Sequence, residues 1–236
     1  MTYRLVVSPR QITKDCLDLD PQQLHYLLRV LRLTNGDRFI ALDGAGNAWI
    51  AEIDDKSANL IESIDLDTEL SVSLSLITAL PKSSGYEQIV RCCTELGVCS
   101  FIPVISDRTI LKPSPNRMQR WRKIAAEAAE QSERRIVPTI SEPVKFFTAI
   151  DKIPTDCNKF ICVARGNTPR LWTCLQQRDS SSIVIATGCE GGWTDAEIQQ
   201  AIAIGFKPVS LGDRILRAVT APIVVSSLVG AIGDLN

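Results

Sequence analysis

This 236-residue sequence is poor in histidine, carries almost no net charge and lacks the cysteine spacing that is typical of a zinc site. His25 is the only histidine, and none of the eight cysteines forms a Cys-x-x-Cys pair. Because structural zinc needs closely spaced pairs of Cys or His ligands, we expect no metal site. Lys and Arg total 26 against 27 Asp and Glu, which gives a net charge of -1. That balance disfavours a protein that holds nucleic acid by bulk charge alone.

Long apolar segments are also missing. The longest run lies near residues 222–232 and is interrupted by Ser226 and Ser227, so it is shorter than the ~20 residues that a membrane-spanning helix needs. The first ten residues contain no apolar core of a signal peptide. Hydrophobic residues make up 45% and charged residues 22% of the chain, as in globular proteins. We therefore expect a soluble cytosolic protein with reduced cysteines and no membrane partner.

Charge and hydropathy patterns both change near residue 70. Residues 1–70 carry 7 basic and 12 acidic side chains, whereas residues 71–150 carry 11 and 7. One helix, with Asp20 as its N-cap and Pro21 in its first turn, precedes short strands and turns from residue 38 onward. These features predict a small, mostly β domain over residues 1–70. From residue 71 strands and helices alternate, which predicts an α/β domain with a parallel sheet over residues 71–236.

Two glycine-bearing loops, residues 187–193 and 211–217, follow apolar strands of the predicted α/β domain. Ligands bind at the carboxyl ends of strands in such sheets, and glycine lets the main chain approach a ligand closely. Neither loop has the spacing of a dinucleotide fingerprint or of a P-loop. From the residues alone, a ligand site and a pair of tight turns are equally good interpretations.

One combination of motifs is far more specific. Glu190-Gly191-Gly192 is followed downstream by Leu211-Gly212 and then by Arg214-Ile215-Leu216-Arg217. With these motifs, and with His25 and residues 29–32 near the start, the chain resembles the SPOUT superfamily of trefoil-knotted RNA methyltransferases. Within it, the chain is most similar to the family that methylates N3 of a uridine in the 16S RNA of the small ribosomal subunit. The resemblance runs nearly from end to end.

The resemblance implies a fold, a cofactor and a partner. It implies a PUA-like β-barrel for RNA binding over residues 1–70 and an α/β knot domain over residues 71–236. It also implies a homodimer that acts on 16S rRNA in the small subunit and uses S-adenosylmethionine, held between the two glycine loops, without a metal. The residues that it implies for cofactor binding are Thr187, Gly188, Glu190, Gly191, Gly192, Ser210, Leu211, Gly212, Ile215, Leu216 and Arg217.

Chemistry at uracil N3 suggests which side chains act. N3 must lose its proton, or the negative charge that develops on the uracil oxygens must be stabilised. Glu190 is therefore a candidate base and Arg217 a candidate charge stabiliser. A helix-terminal charge at Glu190 and a solvated or interface ion pair at Arg217 are the competing interpretations. The candidate contacts to RNA phosphates are Arg10, Arg29, Arg32, Lys82 and Arg134.

The chain departs from the family pattern at both loops. Cys189 stands where the family has proline, Trp193 where it has phenylalanine, and Val219 where it has glutamate. Losing proline frees one backbone angle and should loosen the loop. A non-catalytic RNA- or ribosome-binding relative with a decayed site is therefore the alternative function. A methyltransferase acting on a ribose 2′-hydroxyl is the third possible function, and the end-to-end match to the N3-methylating family argues against it.

Overall fold

The computed structural model describes residues 3–111 and 113–233 and divides the chain into two compact units. Unit 1 comprises residues 1–69 with 129–137, and unit 2 comprises residues 70–128 with 138–236. The first division lies beside the predicted boundary after residue 70. The segment 129–137 belongs to unit 1, whereas the predicted boundaries place it in the second domain. This difference arises because Glu69 binds the segment through hydrogen bonds to Arg134, Arg135 and Ile136.

Unit 1 is built on a six-stranded sheet with the strand order β1-β4-β5-β6-β3-β2. Its first pair, β1 and β4, is parallel, and the other neighbours are antiparallel. Buried side chains such as Leu17, Leu27 and Phe39 form its core. The strands are β1 (Arg4–Val6), β2 (Ile12–Thr13), β3 (Cys16–Asp18), β4 (Arg38–Leu42), β5 (Ala48–Asp54) and β6 (Ser57–Ile64).

The predicted helix of unit 1 begins as expected and then changes its geometry. The Asp20 side chain accepts hydrogen bonds from the main chain of Gln22 and Gln23, and Pro21 opens α1 (Pro21–His25). The helix then continues as a π-helix over Tyr26–Val30. The Leu31 N–H donates to the Tyr26 carbonyl, which is the five-residue spacing of that geometry. Apolar spacing alone predicts a helix here and does not reveal its wider turn.

The tight loop between β4 and β5 is held by one carboxylate. Asp43 accepts hydrogen bonds from the N–H groups of Ala45, at 2.8 Å, and Asn47, at 3.0 Å, and from the Asn47 side chain at 2.6 Å. Partial burial by itself would raise the pKa of Asp43, but the donors favour the ionised form and the pKa is lowered overall.

We expect Asp43→Ala to destabilise unit 1 by about 1 kcal/mol at pH 7, because the loop loses its hydrogen-bond acceptor. Since the folded-state pKa lies below the unfolded value of about 3.9, this contribution is complete above that pH and is lost as the pH falls through the folded-state pKa. Urea unfolding at pH 7 and at lower pH measures the difference. Asp67→Ala, at an exposed carboxylate, is the matched control. A difference between Asp43→Ala and the parent chain that stays constant with falling pH would contradict this account.

Unit 2 is built on a parallel sheet with the order β10-β8-β7-β12-β11-β13, to which β9 adds beside β8. Its strands are β7 (Ser73–Ala79), β8 (Ser100–Ile105), β9 (Thr139–Ile140), β10 (Val144–Lys145), β11 (Asn158–Cys162), β12 (Ser182–Thr187) and β13 (Lys207–Val209). Its helices are α2 (Gly85–Glu95), α3 (Pro115–Gln131), whose last residues belong to unit 1, α4 (Phe146–Ile150), α5 (Leu171–Gln176), α6 (Asp195–Ala203) and α7 (Thr220–Gly233). The alternating pattern therefore predicted the parallel sheet correctly.

The last helix begins later than the sequence pattern predicts. The apolar residues from Leu216 onward favour a helix, but α7 starts at Thr220. Residues 211–219 instead form a loop after β13. Because β12, β11 and β13 are neighbours in a parallel sheet, the segments that follow them emerge at one edge. Among the described residues, no helix is long and apolar enough to cross a membrane.

Candidate functional site

A cleft of about 850 Å³ lies at the carboxyl edge of the unit 2 sheet. Three segments supply most of its lining: residues 162–165 at the end of β11, residues 188–193 after β12, and residues 211–219 after β13, except Asp213. This is the edge at which open α/β sheets bind their ligands. The ligand-site interpretation of the two glycine loops is therefore favoured over that of two unrelated turns.

Most residues predicted to bind the cofactor line this cleft. They are Gly188, Glu190, Gly191, Gly192, Leu211, Gly212, Ile215, Leu216 and Arg217. Thr187 and Ser210 lie behind them. Thr187 is fully buried at the end of β12, and its hydroxyl has no hydrogen-bond partner in the described part of the chain. The Ser210 hydroxyl accepts from the Gly212 N–H at 3.2 Å, so it shapes its loop rather than the cleft wall.

Glycine is favoured at two positions of the loop after β12. A Cβ atom at residue 188 would lie 3.2 Å from the Gly192 Cα and 3.4 Å from the Trp193 indole nitrogen. Gly192 has φ +68°, in the left-handed region that glycine adopts without strain. The Gly192 N–H donates to the Cys189 carbonyl at 2.9 Å and closes the turn. The Glu-Gly-Gly motif therefore encodes a loop that folds tightly back on itself.

Two of the departures from the family pattern, Cys189 and Val219, are accommodated by packing. Cys189 is 6% exposed, and its sulfur lies 3.8 Å from the Ser106 hydroxyl. Val219 lines the cleft next to Gly85, where a Cβ atom would come within 2.9 Å of the valine side chain. The loop that lost its proline is thus supported through its side chain. The expectation of a looser loop is opposed by this contact.

Two residues that sequence reasoning did not assign to the site hold the loop from outside. Arg108, after β8, donates from Nη1 to the Gly191 carbonyl at 2.6 Å, and its stem covers the Gly191 Cα. Glu197 is 1% exposed and accepts the N–H groups of Asp107, at 3.0 Å, and Thr194, at 2.8 Å. Glu197 therefore anchors the segment that carries Arg108. The Thr194–Glu197 capping box is visible in the sequence, but its link to residue 107 is not.

The loop after β11 is the third wall, and the motifs did not indicate it. Cys162, Val163, Ala164 and Arg165 line the cleft there. Burial raises the pKa of the Cys162 thiol to about 12, so the thiol is protonated at neutral pH. In the sequence, the signal for this third wall is an apolar strand that is followed by a glycine, Gly166. In the structure, this glycine has φ +105°.

The two candidate catalytic residues both lie at the cleft. The Glu190 carboxylate accepts the Lys82 N–H at 3.0 Å, so it is held by the segment after β7 and not by the start of α6. Arg217 is exposed on the cleft wall and forms no ion pair within the described ranges. Lys82 is brought beside the Glu-Gly-Gly loop by the same hydrogen bond.

The residues predicted to contact RNA differ in how exposed their side chains are. Arg10, Arg29 and Arg32 are exposed on unit 1, and Lys82 is exposed on unit 2. Arg134 was predicted wrongly, because its side chain is only 2% exposed and lies 2.6 Å from the Glu69 carboxylate. A guanidinium that is buried against a carboxylate inside unit 1 cannot reach an RNA phosphate.

The chemistry of the cleft wall suits a nucleoside-bearing ligand better than a metal. Leu211, Ile215 and Leu216 offer apolar surface, and the N–H groups of Ala164, Ile215 and Leu216 donate no hydrogen bond within the described residues. Pockets that combine apolar walls with a few polar groups are typical of small-molecule sites. Over residues 3–111 and 113–233, no cluster of three or more His, Cys, Asp or Glu side chains could hold a metal ion. The residues therefore fit S-adenosylmethionine as the ligand.

Comparisons with known proteins cover the whole chain. A family model of an RNA methyltransferase domain matches residues 68–230, and a model of an RNA methyltransferase PUA domain matches residues 19–63. The ribosomal RNA small subunit methyltransferase E of Synechocystis is 49% identical over 98% of this chain and 78% of its own length. The ribosomal RNA small subunit methyltransferase E of Bacillus subtilis is 30% identical over 96% of this chain and 94% of its own length.

A solved structure agrees with these matches. The ribosomal RNA small subunit methyltransferase E of Neisseria gonorrhoeae, bound to S-adenosyl methionine, superimposes with a TM-score of 0.90 over 100% of both chains, at 30% identity. The expected fold class, a PUA-like domain followed by a SPOUT-type α/β domain, is thereby confirmed. The chain belongs to the ribosomal RNA small subunit methyltransferase E family.

Proposed function

We propose that this protein methylates N3 of a uridine in the 16S RNA of the small ribosomal subunit, with S-adenosylmethionine as the methyl donor. The observation that carries the proposal is the glycine-lined cleft of unit 2, in a chain whose solved relative is bound to that cofactor. We also propose that the protein acts in the cytoplasm as a homodimer. Residues 1–70 would serve RNA binding and residues 71–236 catalysis.

The cleft residues would hold the cofactor through the main chain and apolar contacts. S-adenosylmethionine supplies a methyl group on a positively charged sulfur. The glycines at 188, 191 and 192 leave room for close approach, and the N–H groups of Ile215 and Leu216 are available as donors. Arg108 and Glu197 keep the loop after β12 in place. Orientation of two bound reactants supplies much of the rate in such a site.

Arg217 and Glu190 would act on the uracil ring. As the N3–H bond breaks, negative charge spreads to the two uracil oxygens, and the Arg217 guanidinium can stabilise it. The Glu190 carboxylate can accept the N3 proton, while the new N3–carbon bond replaces the sulfur–methyl bond. The Lys82 N–H, 3.0 Å from Glu190, keeps that carboxylate beside the cleft.

Methyl transfer to undermodified small subunits tests the proposal. Purified protein is titrated with S-adenosylmethionine by calorimetry, and is then incubated with the cofactor and subunits that lack the modification. We expect one site per chain and N3-methyluridine in the nucleoside mass spectrum. No binding at millimolar cofactor would overturn the proposal. Subunit binding without turnover would favour the non-catalytic alternative, and a 2′-O-methylated nucleoside would indicate the third function.

Gly188→Ala tests the cofactor site directly. The new methyl group would lie 3.2 Å from the Gly192 Cα, so the main chain at Gly192 must shift away from it. Because overpacking of this kind costs roughly 1–3 kcal/mol, we expect the S-adenosylmethionine Kd to rise about tenfold or more. Gly230→Ala is the matched control, since its Cβ atom would meet only Leu70 Cδ2, at 3.7 Å. Equal Kd values for the two variants would argue against cofactor binding beside Gly188.

A further inference from the structure

Most arginine side chains of unit 2 already have a protein partner. Arg120, Arg122 and Arg170 form ion pairs with carboxylates. Arg108, Arg117 and Arg178 donate to main-chain carbonyls. Arg165, Arg214 and Arg217 do neither within the described residues, and all three line the cleft. Outside the cleft, Arg91 on α2 is the other described arginine of unit 2 that forms neither an ion pair nor a hydrogen bond to a main-chain carbonyl. The guanidinium groups without partners are thus concentrated at the site.

Arg165 and Arg214 extend from two segments that are joined to each other. The strands β11 and β13 pair, with Cys162 opposite Val209, and the Val163 N–H donates to the Val209 carbonyl at 2.9 Å. Further along, the Leu171 N–H donates to the Ser210 carbonyl at 2.9 Å. The two segments therefore lie side by side at the cleft, and each carries one of these arginines.

Charge at this side of the cleft is locally unbalanced. Residues 163–171 and 210–217 contain four arginines and a single acidic residue, Asp213. Asp213 is bound by Arg170 at 2.7 Å, so Arg165, Arg214 and Arg217 are left without a counter-charge from these segments. The acidic residues that line the cleft, Glu190 and Asp195, come from the loop after β12 and from α6. For a chain with a net charge of -1, this is a distinct cationic strip.

Resting on the proposed function, we propose that Arg165 and Arg214 bind backbone phosphates of the RNA strand that flank the target nucleotide. A guanidinium offers paired N–H donors that match two phosphate oxygens, and it stays charged at any physiological pH. The exposure of both side chains lets them bind phosphate without prior loss of a protein partner. Phosphate contacts of this kind fix the register of the strand and leave the reading of the base to the cleft. They also give a weakly charged protein local affinity for RNA at the place where the reaction occurs.

The test compares Arg165→Gln and Arg214→Gln in the full-length protein. For each, we expect the KM for undermodified small subunits to rise about fivefold near 0.1 M salt, because one phosphate contact contributes roughly a five- to eightfold change per decade of salt. The slope of log KM against log salt should fall by about 0.7–0.9 per arginine removed. The kcat and the S-adenosylmethionine Kd should stay within about twofold. Arg165→Lys should restore most of the slope.

Arg122→Gln is the control, because this arginine pairs with Glu142 and does not line the cleft. A weaker S-adenosylmethionine Kd with an unchanged KM for the subunit would overturn the proposal and assign the arginines to the cofactor carboxylate. An unchanged salt slope, or a changed oligomeric state by sedimentation, would overturn it as well. Failure of the proposed function itself is separate, since the unsubstituted protein would then bind no cofactor or transfer no methyl group.

Discussion

Arg134→Ala is expected to destabilise unit 1 by about 3–5 kcal/mol, the usual result of removing one partner from a buried ion pair. The Glu69 carboxylate is the acceptor of a small network. It receives the Arg134 guanidinium at 3.0 Å and 2.6 Å, and the N–H groups of Arg135 and Ile136 at 3.1 Å each. The Arg134 and Glu69 side chains are 2% and 12% exposed. Without the guanidinium, a largely buried negative charge keeps only two main-chain donors.

Arg135→Ala is the matched control for this prediction. The Arg135 side chain pairs with Asp65, but these two side chains are 32% and 91% exposed. An exposed pair of this kind contributes only about 0–1 kcal/mol. Denaturant unfolding followed by the fluorescence of Trp49, the one tryptophan of unit 1, measures both variants. Equal losses of stability for Arg134→Ala and Arg135→Ala would mean that burial of the Glu69 network does not decide the effect.

The sequence predicted features that depend on neighbouring residues. Asp20 and Pro21 start a helix, and Thr194 with Glu197 starts another, because N-caps act over three or four positions. The glycine motifs indicated two tight loops for the same reason, since their backbone requirements are local, but they left a ligand site and a pair of simple turns equally good interpretations. The resemblance then indicated which ligand those loops serve.

The sequence could not predict contacts between distant segments. Arg108 reaches Gly191 across 83 positions, and Glu69 meets Arg134 across 65. Nothing near Arg134 marks it as buried, so an arginine near the end of a predicted helix was interpreted as a surface cation. Long-range ion pairs follow from the packing of the whole unit and not from any local pattern.

At the start of α7, one local sequence pattern favours a helix, but the structure does not follow it. The apolar residues from 216 to 219 favour a helix, but Val219 and its neighbours line the cleft instead. Pro222 lacks the N–H that an interior helical position requires, so it belongs in a first turn. A start at Thr220 places it there, whereas a start at Leu216 would place it in the second turn. The proline was therefore the better guide than the apolar pattern.

Arg217→Gln is expected to lower kcat by about 10²–10³, because removing one preorganised donor from developing negative charge has effects of this size. The side chain is exposed on the cleft wall and has no ion-pair partner within the described residues, so the substitution breaks no ion pair there. We therefore expect the thermal midpoint to be unchanged. Because Arg217 is also among the predicted cofactor contacts, the S-adenosylmethionine Kd of the variant is measured as well, and a loss of kcat at saturating cofactor reports the effect on the chemical step. Single-turnover methylation of small subunits with saturating cofactor measures the chemical step.

Two comparisons decide what Arg217 does. Arg217→Lys keeps the charge but loses the paired donors, so it should recover only part of the rate if the guanidinium contacts the uracil oxygens. Glu190→Gln should lower kcat less, by roughly tenfold to a hundredfold, since solvent can replace a general base more readily than it replaces a fixed cation in the cleft. If Arg217→Gln instead raised the KM for the subunit and left kcat intact, Arg217 would act with Arg165 and Arg214 on the RNA backbone. The stabilisation of charge on the uracil would then have to come from main-chain N–H groups of the loops after β12 and β13.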